Sequence, residues 1–260
     1  MRPALIWFEV IGVLVDPVRL RRRMPSAIAA VMAEHWGGRQ QRWAAAYQAI
    51  RADWDSYYAD LDLRGDEGVA DLWEGCFRTT RALFRRAGVP EPAHDVLIAF
   101  ARELPGLAAR RCQALYPEAI DVVQRLHAEG IRLGVLTHVP GAAARGYLVA
   151  GGIASCFQAP VLGMDDRGQF DKDYAAAQRG VDERLPRAAV LIVESDAAAA
   201  RAARAAGWLA RGIRPAKAGH DLRALLTDLA EQPEQLEQFG RGEVVLRVDR
   251  AAAIRPVDGQ

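Results

Sequence analysis

The chain has 260 residues, 51% of them hydrophobic, and its formal net charge at pH 7 is +1. This is enough apolar material for the core of one large domain or two modest ones. The near balance of 34 basic and 33 acidic residues gives no electrostatic reason to expect nucleic acid or a membrane surface as a partner. The three cysteines form neither a zinc motif nor a disulfide framework, which predicts a reducing, cytoplasmic location.

Short apolar runs predict a parallel β-sheet. Three of them have the composition of buried strands, at residues 4–8, 131–136 and 188–193, and a weaker one lies at 159–163. The second run follows a helical pattern that ends at Gly130, and the third precedes one that ends at Gly207, where glycine favours helix termination. Strands that alternate with helices predict an α/β fold with a doubly wound parallel sheet.

A long helical segment separates the first two strands. Helical patterns cover residues 24–36, 39–58, 68–87 and 92–102, with breaks rich in glycine, proline and aspartate between them. Eight aromatic residues concentrate in this segment, and we interpret them as the core of a small helical bundle. The alternative is that some of them line a ligand pocket facing the sheet. The eight are Trp36, Trp43, Tyr47, Trp54, Tyr57, Tyr58, Trp73 and Phe77.

The C-terminal part of the chain carries weaker patterns. Residues 222–229 are amphipathic and predict a helix, and the alternating residues 243–248 predict an edge strand. Residues 251–260 are expected to be frayed.

Polar residues follow the predicted strands, at the edge where parallel α/β sheets place their chemistry. In chain order they are Glu9, then Thr137 and His138, then Lys172, and finally Glu194 with Asp196. Four segments in this order, with a helical insertion after the first strand, resemble the haloacid dehalogenase (HAD) superfamily. Its phosphoglycolate phosphatase and enolase-phosphatase branches are the most similar. The resemblance implies a Rossmann-like α/β core, a parallel sheet flanked by helices, over residues 1–16 and 113–260. It also implies an inserted α-helical cap over residues 17–112.

The resemblance also implies roles for the polar residues. In this superfamily a carboxylate, here Glu9, attacks the substrate and forms a covalent intermediate. Thr137 and Lys172 would hold the oxygens of the transferred group. Mg²⁺ would be held by Glu9 with an acid of the last motif. That acid is Asp196 if the chain follows the enolase-phosphatase branch and Glu194 if it follows the other branch; we prefer Asp196.

Another residue of the second motif is a binding candidate. His138 directly follows Thr137 and is expected to face the same cleft, which makes it a candidate for binding the substrate. The expected partner is a small molecule, and a phosphorylated one if the protein is a phosphatase.

The first motif departs from the family pattern at two positions. The family nucleophile is an aspartate, whereas Glu9 is one methylene longer, and a misplacement of about 1 Å can cost ~10²-fold in rate. The family's second acid, which protonates the leaving group, is replaced by Ile11, and loss of a general acid costs ~10²- to 10⁴-fold. Near the last motif, Ala199 stands where a second metal-binding acid is common.

Simpler interpretations of these residues remain open. Glu9 could be a structural acid that caps the next turn through backbone N–H groups. Thr137 could be an ordinary hydroxyl at a strand end, and Lys172 an ordinary surface lysine.

Four functions are compatible with this pattern. The first is a HAD-like hydrolase by descent whose phosphatase chemistry is impaired or altered. The second is an active Mg²⁺-dependent phosphatase acting on a small phosphorylated metabolite, with Glu9 as an atypical nucleophile. The third is a hydrolytic, dehalogenase-like enzyme, because a halide leaving group needs no proton from the position of Ile11. The fourth is a non-catalytic binding or regulatory protein.

Overall fold

A five-stranded parallel sheet forms the centre of the protein. The structure is a computed structural model and describes residues 2–213 and 222–231. The strand order is β3-β2-β1-β4-β5. The predicted α/β fold with a parallel sheet is confirmed. The fifth strand was not predicted, because only two of its four residues are apolar. The strands are β1 (Leu5–Phe8), β2 (Arg132–Leu136), β3 (Val161–Leu162), β4 (Val190–Glu194) and β5 (Leu209–Gly212).

Ten α-helices accompany the sheet within the part of the chain that the structure describes. Four of them lie between β1 and β2 in a helical insertion, followed by α5; the other five follow β2. They are α1 (Pro17–Trp36), α2 (Gln40–Ala52), α3 (Gly68–Ala87), α4 (His94–Arg110), α5 (Pro117–Ala128), α6 (Gly141–Ala150), α7 (Met164–Arg167), α8 (Tyr174–Arg179), α9 (Ala197–Ala205) and α10 (Leu222–Glu231).

Strand β1 is the central strand, and its side chains alternate between the two faces of the sheet. Ile6 and Phe8 join an apolar cluster with residues of α5 and α6, whereas Leu5 and Trp7 join a second cluster with residues of α8 and α9. Helices therefore cover both faces, as a doubly wound sheet requires. The registers place Phe8 beside Val135 of β2 and Val193 of β4, so the carboxyl ends of the three strands coincide.

The helical insertion has an apolar core of its own. Trp36 and Phe100, and Trp43 and Phe84, meet edge to face, with ring centroids 5.3 and 5.4 Å apart. Six of the eight aromatic residues singled out in the sequence belong to this core or pack against it, which confirms the bundle interpretation for those six: Trp36, Trp43, Tyr47, Trp54, Tyr57 and Phe77. The division into core and cap at residues 17 and 112 remains a prediction.

Three helices of the insertion begin or end at other residues than the sequence predicts. Helix α4, predicted over residues 92–102, continues to Arg110 in the structure. Helix α1 begins at Pro17, seven residues earlier than predicted, because the Asp16 carboxylate caps it by accepting from the N–H groups of Val18 and Arg19. The single helix predicted over residues 39–58 is divided into α2 and a short 3₁₀ turn, Trp54–Tyr57.

A tight turn follows β1 and carries the chain into α1. The N–H groups of Leu14 and Val15 both donate to the carbonyl of Val10. Gly12 has a φ of 83°, and a Cβ atom at this position would lie 2.7 Å from the Cβ of Ser195. Only glycine meets both conditions without strain.

The structure describes only part of the C-terminal region for which the sequence makes predictions. Helix α10 confirms the helix predicted at residues 222–229. The strand predicted at residues 243–248 and the frayed end at 251–260 lie outside the described residues. Within residues 2–213 and 222–231, every helix is too short or too polar to cross a bilayer.

Candidate active site

The carboxyl edge of the sheet brings together most of the residues predicted to form the site. Glu9 follows β1, Thr137 follows β2, and Glu194 is the last residue of β4, so the strand registers make these three neighbours. All three are buried, with exposed fractions of 6%, 0% and 2%. Lys172, from the loop before α8, reaches into the same space.

Both carboxylate oxygens of Glu9 have hydrogen-bond donors. Oε1 accepts from the backbone N–H of Val10 at 2.6 Å and from the hydroxyl of Thr137. Oε2 accepts from the ammonium of Lys172 and lies 3.4 Å from Nδ1 of His138. The interpretation of Glu9 as an acid that binds backbone N–H of the next turn is therefore confirmed for Val10. The same carboxylate also lies at the centre of the predicted site.

Lys172 links the two buried glutamates. Its Nζ lies 2.6 Å from Oε1 of Glu194 and also donates to Oε2 of Glu9. Only 5% of the Lys172 side chain is exposed, so the interpretation of this residue as a surface lysine is wrong. The hydroxyl of Tyr174 donates to Oε1 of Glu194 at 2.5 Å and extends the network.

The pKa values of Glu9 and Glu194 are shifted in opposite directions by this environment. Burial raises the pKa of Glu9, but the charge of Lys172 and the hydrogen bonds of His138 and Lys172 outweigh burial and lower the pKa to about 2. Burial raises the pKa of Glu194 more than the Lys172 ammonium lowers it, and the charge of Glu9 adds to the increase. Glu9 is therefore held as an anion, which is the form that a nucleophile needs.

Arg167 is a part of the site that the sequence did not reveal. Its guanidinium donates to the carbonyl oxygens of Thr137 at 2.7 Å and of Phe170 at 3.0 Å. It thereby connects the end of β2 to the loop that carries Lys172. Its sequence neighbours are aspartates and a glycine, which are typical of an exposed turn, so no pattern distinguished it.

An aromatic ring covers the histidine of the site. The Phe170 ring stacks on His138 with centroids 4.4 Å apart. The guanidinium of Arg64, which belongs to the helical insertion, lies 4.7 Å from the centroid of the same Phe170 ring. The insertion therefore contacts the core beside Glu9.

Ile11 provides no proton at this edge of the sheet. Its side chain packs against the apolar core, and its carbonyl accepts a hydrogen bond from the hydroxyl of Ser195 at 2.9 Å. The site thus contains an ionised carboxylate and a lysine, but the position of the family's second acid is apolar.

The residues present do not fit a resident Mg²⁺ ion. Asp196, the preferred metal acid, is exposed and caps α9 by accepting from the N–H of Ala198 at 2.7 Å. The ammonium of Lys172 lies between Glu9 and Glu194, the other two predicted ligands. Within residues 2–213 and 222–231, no group of three or more histidine, cysteine, aspartate or glutamate residues is arranged to hold a metal.

Solved structures resemble this fold at low sequence identity. The HAD-hydrolase YfnB from Bacillus subtilis, bound to magnesium, is 18% identical with a TM-score of 0.55, covering 88% of this chain and 100% of that one. The defluorinating L-2-haloacid dehalogenase Rha0230 is 17% identical with a TM-score of 0.50, covering 82% of each chain. A predicted phosphoglycolate phosphatase from Haemophilus somnus 129PT is 18% identical with a TM-score of 0.45, covering 82% of this chain and 86% of that one. At these identities the likeness concerns the fold alone.

No curated protein matches the sequence. The family model for haloacid dehalogenase-like hydrolases matches residues 12–207, well over half of the 260 residues. This match begins three residues after Glu9, so neither Glu9 nor Ile11 lies within it. With the fold, the family match shows that the chain belongs to the haloacid dehalogenase-like hydrolases.

Proposed function

We propose that this chain is a haloacid dehalogenase-type protein whose phosphatase chemistry is impaired. The reason is that the carboxylate of Glu9 occupies the oxyanion site, the donors that would otherwise bind the oxygens of a substrate phosphoryl group. One observation carries the proposal. The carboxylate of Glu9 accepts from the Thr137 hydroxyl and the Lys172 ammonium, the two groups that the family resemblance assigns to the oxygens of a transferred phosphoryl group. Glu9 thus acts as an internal ligand of the site.

The extra methylene of glutamate provides the reach for this arrangement. A phosphate group that entered the site would have to displace a carboxylate held by charge-assisted hydrogen bonds. Each such bond contributes about 1.5–3 kcal/mol. The displaced carboxylate of Glu9 would also remain buried, where an unpaired charge is costly. Substrate binding and attack therefore compete for the same donors.

Ile11 removes a second element of phosphatase chemistry. An alkyl phosphate releases a strongly basic alkoxide, which needs a proton donor near the leaving oxygen. An aryl phosphate releases a weakly basic phenoxide, which does not. The two substrate classes therefore separate the effect of Glu9 from that of Ile11.

Hydrolysis assays with the wild-type protein and four variants test the proposal. With or without added Mg²⁺, we expect no turnover of an aryl or an alkyl phosphate by the wild-type protein. Glu9→Asp should gain aryl phosphatase activity, and Glu9→Asp with Ile11→Asp should also gain alkyl phosphatase activity. Glu9→Asn with Ile11→Asp is the matched control and should gain neither. Wild-type turnover that disappears in Glu9→Gln contradicts the proposal.

A metal-independent substitution at carbon is the second candidate function, and the low pKa of Glu9 favours it. A Glu9 oxygen would attack the carbon that bears the halogen, forming a C–O bond while the halide leaves with the electron pair of the C–halogen bond. Water would then hydrolyse the ester and regenerate the carboxylate. The halide needs no proton, so Ile11 is no obstacle.

Halide release from 2-halo carboxylic acids, measured without added metal, tests this second candidate. Turnover by the wild-type protein that is lost in Glu9→Gln would favour it over the first. For either reaction we propose a small molecule as the partner. We also propose the cytoplasmic location that the cysteines lead us to expect. If neither reaction is observed, the remaining function is non-catalytic binding or regulation.

A further inference from the structure

We infer that the Lys172 ammonium is the resident cation of this site and occupies the position between Glu9 and Glu194 where a divalent metal ion would otherwise bind. The inference does not depend on which reaction, if any, Glu9 supports. It starts from the two contacts of Nζ, one to Oε2 of Glu9 and one of 2.6 Å to Oε1 of Glu194.

Charge and burial explain why a cation is needed there. The side chains of Glu9, Glu194 and Lys172 are only 7%, 2% and 5% exposed. Two carboxylates at this depth repel each other and lose their hydration, so they require a proton or a cation nearby. The chain itself supplies this cation, and an ammonium group with three N–H donors can serve two carboxylates at once.

The same contacts make the lysine a competitor of Mg²⁺ for these carboxylate oxygens. Mg²⁺ binds oxygens at about 2.0–2.1 Å in near-octahedral geometry. An ion that bridged Oε2 of Glu9 and Oε1 of Glu194 would have to share both oxygens with the ammonium of Lys172, and two adjacent cations repel each other. Oε1 of Glu9 already accepts from two donors, and the Asp196 carboxylate is engaged at the start of α9.

Removal of the lysine should therefore uncover a metal site. Lys172→Ala leaves two buried carboxylates facing the vacated space, with the Tyr174 hydroxyl next to Glu194. Carboxylate oxygens are the ligands that hard divalent cations such as Mg²⁺ and Mn²⁺ prefer. The variant should bind one such ion, whereas the wild-type protein should bind none at this position.

Mn²⁺ titration monitored by electron paramagnetic resonance measures this directly, because bound and free Mn²⁺ give different signals. We expect Lys172→Ala to bind one equivalent of Mn²⁺ at least about tenfold more tightly than the wild-type protein, a difference of about 1.4 kcal/mol. Mg²⁺ should raise the melting temperature of this variant but not of the wild type. Lys172→Arg, which keeps the positive charge, and Lys172→Ala with Glu194→Gln, which lacks one ligand, are the controls and should not gain the site.

Two results would overturn the inference. One is saturable Mn²⁺ binding by the wild-type protein that Glu194→Gln abolishes, since the lysine would then not exclude the metal. The other is a folded Lys172→Ala variant that binds Mn²⁺ no better than the wild type. If Lys172→Ala is unfolded without metal, millimolar Mn²⁺ should restore its circular dichroism, and failure to do so also counts against the inference.

Discussion

Glu9→Gln should destabilise the protein at neutral pH, because Glu9 is held as a stabilised anion by Val10, Thr137 and Lys172. Its pKa falls from 4.5 to about 2 in the folded protein. That shift corresponds to about 3 kcal/mol of folding free energy at pH 7. The figure is an upper limit, because loss of the Glu9 charge also removes one cause of the raised pKa of Glu194.

The pH dependence of this effect has a definite sign. Because the folded pKa of Glu9 is depressed, its stabilising contribution is complete above about pH 4.5 and is lost as the pH falls toward 2. The pKa of Glu194 is raised instead, so its ionisation lowers stability as the pH rises through its folded pKa. Glu194→Gln should therefore have a smaller destabilising effect at pH 7 than Glu9→Gln.

Urea-induced unfolding of the wild type and of Glu9→Gln, measured at intervals from pH 7 to the lowest pH at which they fold, tests this pH dependence. The free-energy difference between the wild type and Glu9→Gln should be nearly constant near neutral pH and shrink below pH 4.5. Glu103→Gln, an exposed change on α4, controls for the substitution itself. A difference below about 1 kcal/mol at pH 7 would contradict a stabilised Glu9 anion, as would a difference that does not change with pH.

Three other substitutions probe the surroundings of the site. Tyr174→Phe removes the hydroxyl that donates to Glu194 and should cost about 1–3 kcal/mol in urea-induced unfolding at pH 7. An unchanged free energy of unfolding would contradict a stabilising role for this hydrogen bond. Gly12→Ala should lower the melting temperature by several degrees, because the φ of 83° and the contact of the new Cβ atom with Ser195 cost about 1–3 kcal/mol. An unchanged melting temperature would exclude strain in this turn. Arg167→Met should lower the free energy of unfolding by about 1.5–3 kcal/mol in the same urea assay, because four backbone carbonyls lose a charged donor. A neutral effect would show that the guanidinium does not order this loop.

The sequence predicted the sheet well because β1 and β4 are almost entirely apolar, and β2 keeps three apolar residues out of five. The fourth predicted strand is only two residues long in the structure, yet it was recognisable between turn residues. Strand β5 was missed because only two of its four residues, Leu209 and Ala210, are apolar, which is too short a run to indicate a strand. Helix α1 was predicted too short because its first two turns carry four arginines, which conceal the apolar periodicity, whereas its start is determined by the cap at Asp16.

The sequence identified most residues of the candidate site but not how their side chains are arranged. The order of the motifs identified Glu9, Thr137, Lys172 and Glu194, which the strand registers and a loop bring together. No sequence pattern could show that the Glu9 side chain reaches the donors of an oxyanion site. That contact depends on side-chain rotamers and on the distance between β1 and β2. Asp196 was preferred as a metal acid, but its carboxylate has a local partner at the start of α9, which a sequence motif does not reveal.

The most direct test of the account is the binding of inorganic phosphate by Glu9→Ala, compared with the wild-type protein by isothermal titration calorimetry at pH 7. Removal of the Glu9 carboxylate leaves the Thr137 hydroxyl, the Val10 N–H and the Lys172 ammonium as donors for an oxyanion. We expect saturable phosphate binding by Glu9→Ala, its loss when Lys172→Met is added, and no binding by the wild type. Equal phosphate binding by the wild type and Glu9→Ala, or none by a folded Glu9→Ala variant, would contradict it.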